Sequence, residues 1–202
     1  MLSQAVFVAP LQAMTTIKKD GDTGMMPLLP YSSMAANGCI WCTYGYVISA
    51  PGVWLPNVPP IFLGAYYWYT FAQYCPDDAN WLPGTKSMHL AGATAAVGGA
   101  LGIAATQDPE TAKTLIGVGG DLLVVSMFGG PLVAIKTILE TKSTKALPFG
   151  FTCAATLNCS LWSVYGIFVL DDIYVWLPNI LGLSSSFVQL GLFARFGIHR
   201  DD

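Results

Sequence analysis

The chain has 202 residues, of which 53% are hydrophobic and only 10% charged, with a mean hydropathy of +0.53. So few charges are rare in a water-soluble domain of this size, and the composition indicates a membrane protein. The net charge of −3, with no basic face running through an aromatic surface, argues against nucleic acid as a partner.

Spans of roughly 20 apolar residues are needed to cross the hydrocarbon. Divided by that length and by its polar breaks, the chain is predicted to form seven transmembrane helices, at about 2–18, 27–49, 53–74, 87–106, 115–139, 148–170 and 174–196. The fourth, from Ser87 to Thr106, is rich in Gly and Ala and includes Gly98-x-x-x-Gly102. Small residues let helix backbones approach closely, so packing against the other helices is its expected role.

The helices on either side of it are copies of one another. A spacing of 121 residues pairs Pro10 with Pro131, Pro27 with Pro148, Asn37 with Asn158, Trp41 with Trp162, Tyr44 with Tyr165 and Gly45 with Gly166. After one extra residue in the second copy the spacing becomes 122 and pairs Trp54-Leu55-Pro56-Asn57 with Trp176-Leu177-Pro178-Asn179. The expected fold is an all-α membrane protein of seven transmembrane helices, built as two three-helix repeats joined by a linker helix. An odd linker keeps the two repeats parallel. Residues 1–74 form the first repeat, 75–114 the linker with the fourth helix, 115–196 the second repeat and 197–202 a short tail. The partner of the first helix begins near Leu115, so the first is either abbreviated or the chain begins at an internal methionine. Its opening stretch lacks a basic n-region and belongs to the repeat, so it is not read as a cleavable signal peptide.

Lys18, Lys19, Lys86, Lys142, Lys145, Arg195 and Arg200 fall beside one set of loops, with Lys136 nearby. The opposite loops hold Lys113 against Asp108, Glu110, Asp171 and Asp172. The positive-inside rule then places the C-terminus in the cytoplasm and the N-terminus outside. Cys39, Cys42, Cys75, Cys153 and Cys159 are an odd set, four of them in apolar segments, and read as packed small residues. Cys39-Ile-Trp-Cys42 has no second pair or suitably placed His, so no metal or other cofactor is expected. Asn158-Cys-Ser160 fits a glycosylation sequon but lies within an apolar helix.

Positions i, i+4 and i+7 share a helix face, so Asn37, Trp41 and Tyr44 form one stripe and Asn158, Trp162 and Tyr165 repeat it. At a rise of 1.5 Å, Asn37 lies about 15 Å along its helix from Pro27, near mid-membrane. A buried amide is costly without partners, so one such stripe alone reads as helix–helix bonding. Two matching stripes, joined by Asn57 and Asn179, favour a wet cavity. Amides that both donate and accept suit hydroxyls, and flat indole faces suit the C–H faces of a pyranose. The stripes hold no charge, which points to a neutral sugar over amino acids or carboxylates. Pro10, Pro27, Pro131 and Pro148 lie toward one end of helices one, two, five and six and form a candidate hinge set for an inner gate. Pro27 and Pro148 read equally as helix starts. Tyr44, Tyr165 and Asp171 are candidates for an outer gate, with a solvated loop charge the alternative for Asp171. Asp121 is an intramembrane carboxylate, open to a proton-coupling reading or to snorkelling toward the outer face.

With its paired PL, W-x-x-YG and PN signatures, the chain resembles the SWEET, or MtN3/saliva, family of sugar transporters over nearly its whole length. Parallel transporter repeats are already known for that family. The resemblance implies a facilitator that moves mono- or disaccharides down their gradient by alternating access, with no coupled ion and no cofactor. It implies a central pocket at Trp41, Trp162, Asn57 and Asn179, and a proline tetrad at Pro10, Pro27, Pro131 and Pro148. Size-selecting positions fall on Val6, Met127, Asn37 and Asn158; in related plant proteins Met and Asn there go with hexoses and the smaller Val and Ser with sucrose, and the set as a whole favours a hexose. It further implies homo-oligomers in a plasma membrane, with endomembrane or vacuolar membranes as alternatives. Two departures stand out. Val58-Pro59-Pro60 replaces a common glycine, so the third helix is expected to be kinked or unwound there, and the long tail of many plant relatives is missing.

Other readings compete. A PQ-loop amino-acid exporter shares the repeat plan, but Leu11 and Leu132 stand where Gln would follow the prolines. A non-conducting membrane receptor or scaffold would leave the duplicated stripe without a reason. An enzyme is not expected, since no nucleophile, base and metal set converges on one face.

Overall fold

The computed structural model describes residues 5–8, 10–24, 26, 28–77, 84–127 and 129–198, with the backbone alone for 5, 6, 129–131 and 146. Among them every regular element is helical. The elements are α1 (Ala5–Val8), α2 (Leu11–Asp20), α3 (Leu29–Val47), α4 (Pro51–Tyr74), α5 (Lys86–Thr106), α6 (Pro109–Met127), α7 (Gly129–Thr141), α8 (Phe149–Tyr165) and α9 (Ile173–Phe196). They fall into seven segments in 3+1+3 order, the first being α1 with α2 and the fifth α6 with α7. The runs Lys86–Thr106, Pro109–Thr141, Phe149–Leu170 and Ile173–Phe196 are long and apolar enough to cross a membrane. The 24 residues of α9 extend about 36 Å at 1.5 Å per residue, enough for a hydrocarbon core of roughly 30 Å.

The chain divides into two compact units, Phe7–Leu123 and Val124–Asp202 with Met1–Val6. In the first, α3 and α4 lie almost backbone to backbone. A Cβ on Gly45 would come 2.7 Å from Trp54 N, and one on Gly64 would come 2.5 Å from Ala35 N. Only glycine admits such an approach. Below this seam Met14 and Ile17 of α2 meet Tyr67 and Phe71 of α4, with Leu28 and Cys75, in a buried hydrophobic core. Lys86, at the start of α5, closes the far end of α4: its ammonium donates to the carbonyls of Ala72 (3.4 Å) and Cys75 (3.0 Å) and to Asp77 Oδ1 (2.7 Å). Cations are favourable at helix C-termini, where carbonyls lack onward partners.

The second unit repeats the seam. A Cβ on Gly166 would lie 2.9 Å from both N and Cβ of Trp176. The extra residue of this copy is absorbed between the two motifs as a π-helical turn, Gly166–Leu170. In the first copy Ala50 N–H closes onto the Gly45 carbonyl at 2.8 Å; in the second Asp172 N–H closes onto the Gly166 carbonyl at 3.0 Å, one residue later. Both turns then end in a left-handed residue, Ser49 (φ 53) and Asp171 (φ 49).

Three expectations are corrected. The fifth segment starts at Pro109, six residues before Leu115, because Asp108 accepts from Thr111 N–H at 3.1 Å and caps α6 with proline as its first residue. The stretch Val58-Pro59-Pro60 is not unwound, since α4 runs unbroken through Pro56, Pro59 and Pro60; close packing on α3 holds the backbone where proline removes helical donors. Finally, a Cβ at Gly98 or Gly102 would meet nothing within 4 Å. The contact of α5 with α3 is made nearer its start, where Ser32 Oγ and His89 Nδ1 lie 3.0 Å apart.

Candidate functional site

The amide–indole stripe of the first copy meets α6 at Trp41, while α3 packs on α4 through Ala35, Gly38 and Gly45. Trp41 is buried, and its indole N–H donates to Asn37 Oδ1 at 3.2 Å, one turn back. Its ring meets Tyr44 edge to face at 5.2 Å. A Cβ on Gly120 of α6 would lie 3.2 Å from the indole, so α6 closes over Trp41 at a residue without a side chain. Asp121 follows it and is half-buried. Asn57, on α4, is buried and donates from Nδ2 to the Val53 carbonyl at 2.8 Å. That bond pins the amide against its own helix and leaves Oδ1 as the end able to accept from a ligand.

In the second copy Asn179 Nδ2 donates to the Val175 carbonyl at 2.7 Å, the same bond one repeat later. Trp162 and Tyr165 are again edge to face, with centroids 6.0 Å apart. The copies differ at the other amide. Asn158 Oδ1 is buried and accepts no hydrogen bond from the described residues, whereas Asn37 Oδ1 holds the Trp41 indole. The second stripe is also more open, with Asn158, Trp162 and Asn179 half-buried.

Each unit thus carries its own amides and indole on adjacent helices: Asn37 and Trp41 on α3 with Asn57 on α4 in one, Asn158 and Trp162 on α8 with Asn179 on α9 in the other. Among the remaining candidates, Pro10 stands at the N-cap of α2 and Pro148 at the N-cap of α8. Pro27 lies outside the described residues, while Val6 and Pro131 are described by backbone alone, in α1 and α7. Met127 ends α6 and is half-buried. Tyr44 is fully buried and Tyr165 half-buried. Asp171 is exposed in its left-handed position, and it is Asp172 that is buried, capping α9 by accepting from Tyr174 N–H at 3.0 Å. The sequence reading gave no role to Gly45, Gly166 or Gly120. The first two belong to the W-x-x-YG motif itself, which was the available signal; nothing near Gly120 marked it.

A cavity of about 310 Å³ opens between α3 and α5, lined by Ser32, Ser33, Ala36, Met88, His89 and Ala93 among others. It contains none of the stripe residues, and its wall is mostly apolar.

The family model described as "Sugar efflux transporter for intercellular exchange" matches residues 1–79 and 114–200, the two repeats. The chain belongs to the MtN3/saliva (SWEET) family. It is 27% identical over 202 residues to the mouse (Mus musculus) "Sugar transporter SWEET1", covering all of this chain and 89% of that one. It is 28% identical over 215 residues to the "Bidirectional sugar transporter SWEET17" of Arabidopsis thaliana, covering all of this chain and 82% of the relative. In fold it is similar to a eukaryotic SWEET transporter of known structure, with a TM-score of 0.81 at 23% identity over 96% of this chain and 91% of that one. SWEET proteins are membrane transporters and not enzymes, and the seven-helix 3+1+3 arrangement is theirs.

Proposed function

We propose that the chain is a passive, bidirectional transporter of a neutral sugar of hexose size, working by alternating access. The observation that carries this reading is the repetition of an uncharged amide–indole–amide set: Asn37, Trp41 and Asn57, then Asn158, Trp162 and Asn179, with Asn57 and Asn179 held by identical bonds. Amide oxygens accept from sugar hydroxyls and indole faces cover the ring. The names of the relatives, "sugar transporter" and "bidirectional sugar transporter", support the substrate class. Met127, Asn37 and Asn158 at the size-selecting positions favour hexose over sucrose. In this reading the two sets bind the sugar, Pro10, Pro27, Pro131 and Pro148 act as hinges of an inner gate, and Tyr44, Tyr165 and Asp171 act at the outer one. The N-terminus is external, the C-terminus cytoplasmic, and copies of the chain associate in a plasma membrane.

Uptake of labelled glucose by proteoliposomes tests it, with efflux from preloaded vesicles run in parallel. Both fluxes should exceed those of protein-free vesicles, be independent of a proton gradient and be inhibited by other hexoses. Flux at the protein-free level from folded protein would remove the transport reading, and equal inhibition by sucrose would remove the hexose assignment.

A further inference from the structure

The first segment is interrupted at Pro10. This proline is non-helical and stands at the N-cap of α2 (φ −69, ψ −10), its carbonyl accepting from Met14 N–H at 3.0 Å. The last four carbonyls of a helix have no onward partner within it, and in an apolar setting an unmade bond is expensive. Phe7 supplies one of those carbonyls. Its partner comes from another segment: the hydroxyl of Tyr67, a fully buried residue of α4, donates to Phe7 O at 2.8 Å.

The second repeat does not build this contact with the same chemistry. At the spacing of 122, Tyr67 corresponds to Gln189, and at 121, Tyr31 corresponds to Thr152. Gln189 turns to its neighbour helix and to its own: Oε1 accepts from Thr152 Oγ1 at 3.1 Å and Nε2 donates to Ser185 Oγ at 3.3 Å. In the first repeat a tyrosine ring stands where Thr152 stands in the second, and Tyr31 packs edge to face on Tyr67 at 6.3 Å. The longer, aromatic Tyr67 reaches past α3 to α1.

We propose that Tyr67 is a positioning residue for transport, its hydroxyl latching α1 to α4 beside the Pro10 break so that the first repeat moves with its leading half-helix attached. Gln189, bonded to Thr152 and Ser185, supplies a different contact, so the latch belongs to one repeat and the two hinges are unequal. This rests on the transport reading above for its consequence, though not for the bond itself.

The test is Tyr67→Phe, which keeps the ring and removes only the donor, beside Tyr31→Phe, which removes a hydroxyl from the same aromatic cluster without touching Phe7. Hydrogen–deuterium exchange of the amides at 11–14 should be about fivefold faster in Tyr67→Phe, the size expected for one net hydrogen bond, and unchanged in Tyr31→Phe. In proteoliposomes the maximal flux of Tyr67→Phe should fall about fivefold while the half-saturating sugar concentration stays within about twofold, as expected for a residue that never meets the sugar. Exchange alike in the two variants overturns the proposal. So does unchanged flux, or a half-saturation that rises in step with the loss of flux. Faster exchange at 11–14 in a protein that moves no sugar even as wild type upholds the latch and overturns the transport reading instead.

Discussion

Trp41 donates its indole N–H to Asn37 Oδ1 at 3.2 Å, while Asn158 Oδ1, the same atom one repeat later, is buried and accepts no hydrogen bond from the described residues. One amide oxygen is committed and its copy is not. Leaving a buried acceptor unsatisfied costs about 1–3 kcal/mol, which a hydroxyl donated by a bound sugar would recover. Asn158→Leu should therefore leave the empty protein as stable as wild type or more so, and weaken sugar binding by fivefold or more. Asn37→Leu should do the reverse to stability, because it strands the Trp41 donor. Thermal melts in detergent, with and without sugar, separate the two signs; a Leu at 158 that lowers the melting temperature of the sugar-free protein contradicts the assignment.

Asn57 and Asn179 make the same bond to a valine carbonyl four residues back, so truncating either should have the same consequence. Asn57→Ala and Asn179→Ala are expected to lower sugar flux to near the protein-free level while surface expression is maintained. Cell-based uptake, normalised to a tagged copy at the membrane, measures this. A large asymmetry between the two variants would mean that the half-buried Asn179 and the buried Asn57 do not share a role.

Much of this architecture was readable from the chain, and the reason is specific. Two tetrapeptides, Trp54-Leu55-Pro56-Asn57 and Trp176-Leu177-Pro178-Asn179, and the paired W-x-x-YG motifs fix the register of the copies. Once those residues are placed on helices, the i, i+4 spacing brings Trp41 to Asn37 without further information. The start of α6 was misplaced because apolarity locates the middle of a span and not its end. Asp108 and Pro109, which set that end through capping, are polar or helix-breaking by composition. The contact between Tyr67 and Phe7 was unreadable for another reason: its acceptor is a backbone carbonyl, and no side chain at position 7 encodes it.

The glycine seams give a test of packing. Gly45→Ala and Gly166→Ala place a methyl group under 3 Å from the neighbouring helix, against Trp54 N and Trp176 N. Each should destabilise its repeat by about 1–3 kcal/mol, the range for overpacking a close contact. Gly98→Ala, with open space around it, should be neutral or slightly favourable, since alanine is the better helix former. Melting temperatures of the three purified variants decide the matter; equal effects at Gly45 and Gly98 would deny the close approach.

At the α4–α5 connection, Lys86 holds the Asp77 carboxyl below its usual range, mainly by the hydrogen bond and then by its charge. A carboxylate with a depressed pKa contributes stability above its unfolded value, and that contribution fades as pH falls through the folded one. The pair is exposed on the Asp77 side, so the effect should be small and reduced by salt. Asp77→Asn should flatten the acid limb of the melting curve and change little at pH 7. Lys86→Met should do more at every pH, because it also uncovers the carbonyls of Ala72 and Cys75. An acid limb identical in wild type and Asp77→Asn would show that the ion pair is not held in solution.

The π-helical turn makes the last prediction, since it is where the second copy keeps its additional residue. Such turns arise when a helix absorbs an insertion without shifting the residues on either side. Phe168 and Val169, inside it, are exposed, while Gly166 at its start and Asp172 after it are buried. Deleting Phe168 should therefore restore a spacing of 121 throughout, convert the turn to the closure that joins Ala50 to Gly45 in the first copy, and leave Trp162 and Asn179 in place. The expected result is a folded protein that retains sugar flux. Deleting Ile116, buried in α6 with no π turn to take up the slack, should instead rotate the rest of that helix by about 100° and abolish folding. Equal loss in both deletions would mean that the extra residue is required by the gate and is not merely housed there.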